Sequence, residues 1–576
     1  MAQFDQKAKV MTPSKNVFDL SYRSRLSAVM GQLIPVLNKP IVPGDRFRMS
    51  IDTLIRLAPL RAPIFDGLKA DFHAFFVPNR LLDPDWKEFI TGGDSLSVGE
   101  ESQLSPLRFR LRDYSVKPNE NEGMHLSGLF DYLNIHPMTY DVDGQPLKPT
   151  TYPDLSLNAL PILGYHKIWS DWFRNERIED GISLGGDSFK SLEFGIENDK
   201  RIVTGLRSMA GLGSADYASN LFDKLHYRNY AKDRYTTALP EPVIGGPVIL
   251  PGSGGVVGSD NGTLTGTVKT SRGQMVYMDS DGKANDGIGD AYKLSSVVGQ
   301  DKSSLSVSFQ LKQAAIATIQ DLKTAFKMYS FFMKDTYNGN RYVEFIESHY
   351  NVRVPDATID RSIYLGRVTV PIQFGEVFQT SGTTQTGGAD GRAKNALGDY
   401  AGRGVGASSG FMFDETFLEH GQLYVIMSIV PRNTYFQGID KKFLISDRFD
   451  YFFPEFQNIG DAAIKNVELF LGMGGSSSEV QNEEVFGYQS RWYDLKQYDD
   501  ELHGDFLPNS SGIGSNMSFW NFARQFESVP KISKKFSNIT PINAPFAVLD
   551  EWSDNFYIDI QFNIKALRPI MYYEEF

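Results

Sequence analysis

The stretch from Asn555 to Pro569 alternates apolar and polar side chains without interruption, and it constrains the fold more than any other segment. A period of two residues is typical of a β-strand with one buried and one solvent-facing side, whereas a helix would scatter these apolar residues around its axis. Pro569 lacks a backbone donor and predicts the end of the strand. We therefore predict a principal strand of a β-sandwich whose core row is Phe556, Ile558, Ile560, Phe562 and Ile564.

Three further stretches have β-strand character. Arg46–Asp52 and Ala70–Pro78 also alternate, and Leu423–Val430 is an almost unbroken apolar run, which is typical of a strand covered on both faces. The alternation places His73 on the same side as Asp71, and we interpret it as a residue of the sheet's rim. Together these stretches predict an all-β core.

Helical spacing appears in two places. Through residues 165–174 the large side chains of Trp169, Trp172 and Phe173 share one face, and such a face usually packs into a core. Residues 312–336 repeat apolar side chains every three or four positions, and Asn338-Gly339 predicts the end of that helix. The fold class is therefore an all-β core with helical insertions and long loops.

Composition narrows the class of protein. The chain has 576 residues, no cysteine, 13% aromatic residues and a net charge of −12. Disulfides and thiolate metal sites are impossible, and an overall nucleic-acid-coating surface is excluded, although a local basic patch is not. The aromatic content suits both cores and extensive protein interfaces. No apolar run is long enough for a transmembrane helix, and no signal peptide is expected, so synthesis in the cytoplasm is the default.

Residues 1–40 are polar, mildly basic and interrupted by prolines, so we predict an extended N-terminal arm. A solvated tail and a contact to nucleic acid are both compatible with this composition. If the arm binds nucleic acid, the candidate residues are Lys7, Lys9, Arg23 and Arg25.

The segment 245–289 is rich in glycine and poor in large apolar side chains. Such a segment cannot build its own core cheaply. It is either a flexible surface insertion or one that becomes ordered only against copies of itself.

No motif nominates an enzyme. Gly252–Gly258 has the glycines of a phosphate-binding loop but lacks its Gly-Lys-Ser/Thr ending. Gly-x-Ser-x-Gly occurs at Gly181–Gly185 and Gly406–Gly410, but neither match follows an apolar strand as a nucleophile elbow does. No two histidines have zinc-protease spacing, and Asp279–Gly282 lacks the glutamate that closes a calcium loop. We expect no catalytic residue, no metal and no cofactor.

Several stretches taken together resemble the major capsid proteins of the Microviridae, small phages with single-stranded DNA, and are most similar to the gokushovirus-like branch. The resemblance extends over nearly the whole chain, and the order of its motifs makes it specific. The residues that carry it include Pro43–Asp45, Phe75–Leu81, Ile168–Arg174, Gly339–Glu344, Thr434–Gly438, Glu484–Gln489 and Phe562–Pro569.

The resemblance implies a single eight-stranded antiparallel jelly-roll β-sandwich over residues 41–576, with sixty copies forming a T=1 icosahedral shell. It also implies a circular single-stranded DNA genome inside, a small basic DNA-binding protein and a pilot protein in the virion, and assembly in the cytoplasm of a host bacterium. DNA contacts from the arm would be non-specific. Residues 244–306 correspond to an insertion that protrudes at the threefold axes, where contact with a host surface receptor is expected.

A carbohydrate-acting or carbohydrate-binding β-sandwich is the alternative. Exposed aromatic side chains stack on sugars, and the chain has many carboxylates. Particle size distinguishes the two hypotheses, because a capsid protein forms a very large particle containing nucleic acid and an enzyme does not.

Overall fold

The computed structural model divides the chain into two compact units, residues 1–242 with 339–576, and residues 243–338. Each unit is described by itself. The structure describes residues 15–91, 105–114, 128–136, 155–182, 192–197, 200–206, 220–241, 268–269, 275–278, 284–285, 291–292, 319–338, 342–353, 355, 360–378, 400–456, 460–472, 481–508, 517–547 and 554–571.

Strands dominate the described residues. In chain order they are β1 (Asn16–Asp19), β2 (Tyr22–Ala28), β3 (Ile34–Ile41), β4 (Arg46–Leu57), β5 (Leu68–Pro78), β6 (Arg108–Arg110), β7 (Ser156–Asn158), β8 (Leu192–Glu197), β9 (Lys200–Leu206), β10 (Val268–Lys269), β11 (Met275–Met278), β12 (Ala284–Asn285), β13 (Ala291–Tyr292), β14 (Ile363–Phe378), β15 (Tyr400–Thr416), β16 (Gly421–Pro431), β17 (Asp461–Lys465), β18 (Val485–Ser490) and β19 (Phe556–Arg568).

The described α-helices are few and mostly short. They are α1 (Trp86–Thr91), α2 (Leu129–Tyr132), α3 (Leu160–Ile168), α4 (Ile319–Asn338), α5 (Tyr342–Tyr350) and α6 (Lys534–Ser537). The predicted helix through residues 165–174 is present, but its second half, Trp169–Phe173, is a π-helical turn that continues α3. None of the helices in the described part of the chain is long and apolar enough to cross a membrane.

One antiparallel sheet organises the larger unit, with the strand order β1-β19-β4-β15-β14-β5-β16-β3. Strands β1 and β2 share one edge of β19, and β4 pairs with the other edge from Phe556 opposite Leu57 to Leu567 opposite Arg46. The C-terminal strand therefore closes a sheet whose first strands lie at the start of the chain. Residues 16–41, within the segment predicted as an arm, form β1, β2 and β3 of this sheet.

The sheet curls over one hydrophobic core. Inward side chains of β19 and β4, at one end of the strand order, belong to the same buried cluster as inward side chains of β5 and β16 near the other end. Curling allows a continuous sheet to bury one face against itself, which is how a β-sandwich forms its core. The prediction of an all-β core with helical insertions is confirmed, and the strand count of eight stays a prediction.

A second apolar layer covers the opposite face of β5 and β16. Every residue of β16 is buried, because alternate side chains enter the two layers: Val425 enters the first, while Tyr424 and Ile426 pack with α3 in the second. The predicted strand covered on both faces is thus confirmed. The β19–β4–β15 part of the sheet has a polar outer side instead.

The smaller unit, residues 243–338, has a four-stranded antiparallel arrangement in the order β10-β11-β12-β13, and it also contains α4. Most of the predicted insertion 244–306 lies outside the described residues, so its proposed protrusion stays a prediction.

Candidate functional site

The outward side chains of β2, β19, β4 and β15 form a polar surface, which we call the polar face. Cross-strand pairing sets its rows: Ser27, Tyr557, Arg56 and Val405 are opposite one another, as are Arg23, Gln561, Asp52 and Ser409. Basic side chains outnumber carboxylates in a chain that is acidic overall. The basic residues of the polar face are Arg23, Arg25, Arg46, Arg48, Arg56, Arg403 and Lys565, and its carboxylates are Asp52, Asp414 and Asp559.

The two described residues of the DNA-facing prediction, Arg23 and Arg25, lie two positions apart on β2 and therefore on the same side. The guanidinium of Arg23 donates to both carboxylate oxygens of Asp559, with Nε at 2.6 Å from Oδ1. Hydrogen bonding to Arg23 lowers the pKa of Asp559. Arg25 lies 4.0 Å from the same carboxylate, and its side chain is 75% exposed. Arg25 is thus the more available cation. Lys7 and Lys9 lie outside the described residues.

Two other carboxylates of the polar face are satisfied within it. Asp414 accepts hydrogen bonds from Arg46 at 2.8 and 3.0 Å, and these lower the pKa of Asp414. Asp52 accepts from Ser409 and, at 2.8 Å, from the amide of Asn563; the first of these contacts contributes most to lowering the pKa of Asp52. The carboxylates of this surface are therefore ionised and paired at neutral pH.

Cations and aromatic rings remain exposed beside these pairs. Among the described residues, Arg48 and Arg56 have no carboxylate within 4.0 Å. The Arg48 guanidinium lies 5.9 Å from the ring centre of Phe411, and Arg56 is opposite Tyr557. Both rings are about half exposed, at 57% for Phe411 and 51% for Tyr557. A cavity of about 440 Å³, open to solvent, lies over the middle rows and is lined by Arg23, Asp52, Thr53, Leu54, Ala407, Ser408, Ser409, Asp559 and Gln561.

This arrangement can hold a flexible anionic chain. Guanidinium groups neutralise phosphates, and exposed rings provide flat surfaces on which bases stack. Sequence analysis identified Arg23 and Arg25 but missed Arg46, Arg48 and Arg56. The alternation of Arg46–Asp52 was the available signal, because it places Arg46 and Arg48 on the side opposite the apolar residues.

The core row of β19 lies on the inward side. Its members Phe556, Ile558, Ile560, Phe562 and Ile564 are between 0% and 3% exposed. Their alternation with the polar face fixes the register of β19, because a slip of one residue would exchange the two sides.

The three aromatic residues of the predicted helical face pack in two different ways. Trp169 is buried and stacks on the imidazole of His226 with ring centres 3.9 Å apart. Trp172 and Phe173 are half-buried and each lie 5.8 Å from Phe75 of β5, measured between ring centres. These contacts attach the helical layer to the sheet.

Two buried polar groups were missed in the sequence. The carboxylate of Asp71 on β5 is fully buried and accepts hydrogen bonds from Arg228, Arg367 and Thr369. His166 Nδ1 lies 2.8 Å from Nε2 of His226, and both rings are buried. Their partners are far apart in sequence, so only the tertiary fold identifies them as clusters.

No arrangement in the described part of the chain suggests catalysis. Among those residues, no group of three or more acidic or histidine side chains is placed to hold a metal ion.

Comparison with known proteins decides the family. A family model described as capsid protein (F protein) matches residues 8–108 and 136–575. The chain belongs to this capsid protein family. It is 25% identical to capsid protein VP1 of Chlamydia phage 1, over 98% of this chain and 95% of the relative. It is 27% identical to capsid protein VP1 of Bdellovibrio phage phiMH2K, over 97% and 95%.

A third similar protein is capsid protein VP1 of Spiroplasma virus 4, at 27% identity over 94% of this chain and 92% of the relative. The expected relationship to the major capsid proteins of the gokushovirus-like Microviridae is confirmed. The chain is therefore a major capsid protein, a structural component of the virion and not an enzyme. The alternative of a carbohydrate-acting β-sandwich is not supported.

Proposed function

We propose that this capsid protein assembles as sixty copies into a T=1 icosahedral shell around a circular single-stranded DNA genome. Its membership of the capsid family carries the proposal, since a capsid protein self-assembles. The many exposed aromatic side chains support it, because these residues are enriched at protein interfaces. Assembly takes place in the cytoplasm of the host bacterium.

The polar face contacts the packaged DNA in this proposal. Arg25, Arg48 and Arg56 neutralise phosphates, and Tyr557 and Phe411 stack on bases. The charge of the whole chain does not oppose this, since the basic side chains are concentrated on one surface while the net charge is −12. The contact is independent of DNA sequence, because phosphates and ring faces are common to all sequences.

Assembly is tested by expressing the protein and imaging the purified material by negative-stain electron microscopy. Uniform icosahedral particles whose size and mass correspond to sixty copies are expected. Small oligomers, or shells with another copy number, would contradict the T=1 proposal.

DNA contact is tested with particles carrying R25A, R48A and R56A together. The triple variant should release DNA at lower salt than wild type, because each lost phosphate contact reduces the salt dependence of binding by about 0.7 in log–log slope for a single strand. R46A is the matched control, since Arg46 is on the same strand but is paired with Asp414. Equal salt profiles for wild type and triple variant, with the same DNA content, would reject the polar face as the contact.

The remaining partners follow the same reasoning. We infer that the insertion 244–306 projects outward and contacts a host receptor, and that a small basic protein and a pilot protein accompany the DNA. An antibody raised against residues 244–306 should bind intact particles and block adsorption to cells. Binding only after the particles are disrupted would place the insertion inside.

A further inference from the structure

Two neighbouring segments of the larger unit expose an unusual number of large apolar side chains. The first, residues 441–456, contains three short 3₁₀ turns, Lys441–Phe443, Arg448–Asp450 and Pro454–Phe456, and none of the residues in these turns is buried. The second is residues 492–498, which begins at Trp492. We call the two together the aromatic ridge.

The aromatic ridge is internally braced. The ring of Phe452 lies 5.4 Å from Trp492 and the ring of Phe449 lies 5.8 Å from Phe456, measured between ring centres. Lys441 donates a 3.0 Å hydrogen bond to Asp494, which joins the two segments. Asp450 accepts backbone hydrogen bonds from residues 446 and 447 at 3.1 and 2.9 Å, which fixes the middle turn. The exposed rings are therefore held in place before any partner arrives, which reduces the entropic cost of binding.

The exposed area is large for a surface that meets only water. Six side chains of the aromatic ridge are between 45% and 88% exposed: Phe443, Phe449, Tyr451, Phe452, Leu495 and Tyr498. At about 150–250 Å² for each large side chain, these fractions correspond to roughly 700 Å² of apolar surface. The largest apolar patch of a typical monomer is about 300–600 Å², and one partner of a standard interface buries about 800 Å². The aromatic ridge is thus close in area to one side of a protein–protein interface.

Charge indicates the kind of partner. The first segment has three basic residues (Lys441, Lys442, Arg448) and four acidic ones (Asp440, Asp447, Asp450, Glu455) if Asp440 is included. Lys442 lies over the ring of Phe443 and Arg448 over that of Phe449, so these stems extend the apolar surface. A nearly neutral aromatic surface does not attract phosphates, and it does not repel another copy of itself.

We propose that the aromatic ridge is an interface between copies of this chain in the shell. The inference rests on the proposed shell assembly and identifies one of the surfaces that drives it. A second copy is the occupant because a capsid protein is surrounded by its own copies and because the exposed area matches an interface of standard size. Phe443, Phe449 and Tyr498 are its anchors.

The absence of cysteine from the chain makes a direct test possible. Y498C places a single thiol at the most exposed ring of the aromatic ridge, and I196C places one on β8 as a matched control, since Ile196 is 77% exposed and outside the ridge. Thiol labelling with a bulky polyethylene-glycol maleimide is measured in assembled particles and after mild dissociation. In particles, Cys at 498 should react at least about tenfold more slowly than in free subunits, which is the protection that about 1.4 kcal/mol of interface closure gives.

Equal labelling rates at position 498 in particles and in free subunits would overturn the proposal. Protection at 498 and at 196 to the same degree would also overturn it, because the effect would then be a general one of the shell. If wild type forms no particles at all, shell assembly itself fails, and that outcome is visible by microscopy before any labelling.

A second measurement addresses energetics. The variant F443S/F449S/Y498S should remain folded, since these side chains are exposed, and its far-UV circular dichroism should match wild type. Its assembled fraction in sedimentation should fall at least about tenfold, because aromatic anchors at interfaces contribute 2 kcal/mol or more. I196S is the control and should assemble normally. Normal assembly of the triple variant would overturn the proposal, and so would capture of the aromatic ridge by another virion protein while contacts between copies persist.

Discussion

The buried carboxylate of Asp71 accepts a 2.8 Å hydrogen bond from Arg228, although the two residues are 157 positions apart. Arg367 and Thr369 donate to the same carboxylate at 2.7 and 2.8 Å, and Arg228 also donates to Ser428. One charge thus joins β5, β14, β16 and the segment after β9. Burial would raise the pKa of Asp71, but Arg228 and the donors Thr369 and Arg367 outweigh it and lower the pKa.

We expect D71N to destabilise the protein by about 3–5 kcal/mol, because it leaves a buried guanidinium without its counter-charge. The free energy of unfolding, measured by denaturant titration at pH 7, checks this. D414N removes the carboxylate of an exposed pair and should cost no more than about 1 kcal/mol.

The Asp71 penalty also depends on pH. Because the folded pKa lies below the unfolded value of about 3.9, the contribution is complete above that value and is lost as the pH falls through the folded pKa. Wild type and D71N should therefore converge in stability below about pH 4. A difference that persists unchanged at pH 2 would contradict the role of the charge.

The two sides of β19 should respond differently to truncation. Phe562 is fully buried in the core, so F562A should cost about 3–5 kcal/mol through lost burial and the cavity left behind. Y557A removes a half-exposed ring of the polar face and should change the free energy of unfolding by about 0.5 kcal/mol or less. Similar losses for both variants would show that the polar face is covered within the subunit.

Close packing of α3 on β16 requires a glycine. A Cβ at Gly164 would overlap the phenolic oxygen of Tyr424, which donates a 2.7 Å hydrogen bond to the carbonyl of Pro161. Although alanine favours helices, G164A should destabilise by about 1–3 kcal/mol through overpacking. The double variant G164A/Y424F should be more stable than the sum of the single effects predicts, by at least about 0.5 kcal/mol.

Gly195 provides the control for this cycle. A Cβ there meets no atom within 4 Å, so G195A should be nearly neutral. Strict additivity between G164A and Y424F would mean that the helix moves away from Tyr424 as a unit.

The pair His166 and His226 predicts loss of stability in mild acid. Burial lowers the pKa of His166 to about 4 and lowers the pKa of His226 further below its usual value. Below the unfolded value of about 6.5 the unfolded chain takes up protons that the folded chain does not. Stability is therefore complete above about pH 6.5 and declines toward pH 4, by up to about 1.4 kcal/mol per pH unit for each histidine.

Denaturant titrations at several pH values between 7 and 4 test this. H166Q/H226Q should flatten the decline, whereas H136Q should leave it unchanged because the His136 side chain is 68% exposed. An unaltered slope in the double variant would assign the acid sensitivity to other groups. His73 has its pKa lowered to about 3, mainly by burial, and retains its own contribution in both variants.

Some features were predictable because their information is local. Period-two alternation in β19 and β4, the apolar run of β16 and the helical spacing before Phe173 each lie within one short segment. The family also follows from the sequence, since its motifs keep their order along the chain.

His73 illustrates where local information ends. The alternation of β5 places it beside Asp71 and predicts a rim position, but its ring packs against Phe173 and Tyr364, with ring centres 5.7 and 6.0 Å away. That prediction was wrong because the helical layer covers this part of the sheet, and the sequence of β5 does not contain the layer's position.

For this protein, the sequence alone determined which residues of β19 point to the core and which point away, since a strand's two sides alternate by backbone geometry. Only the tertiary structure decided what those sides meet. Pairing with β2 and β4 brings Arg25 and Arg56 beside Tyr557, and residues hundreds of positions apart surround Asp71. Long-range pairing is selected by the free energy of the whole packed core, and no single segment encodes that quantity.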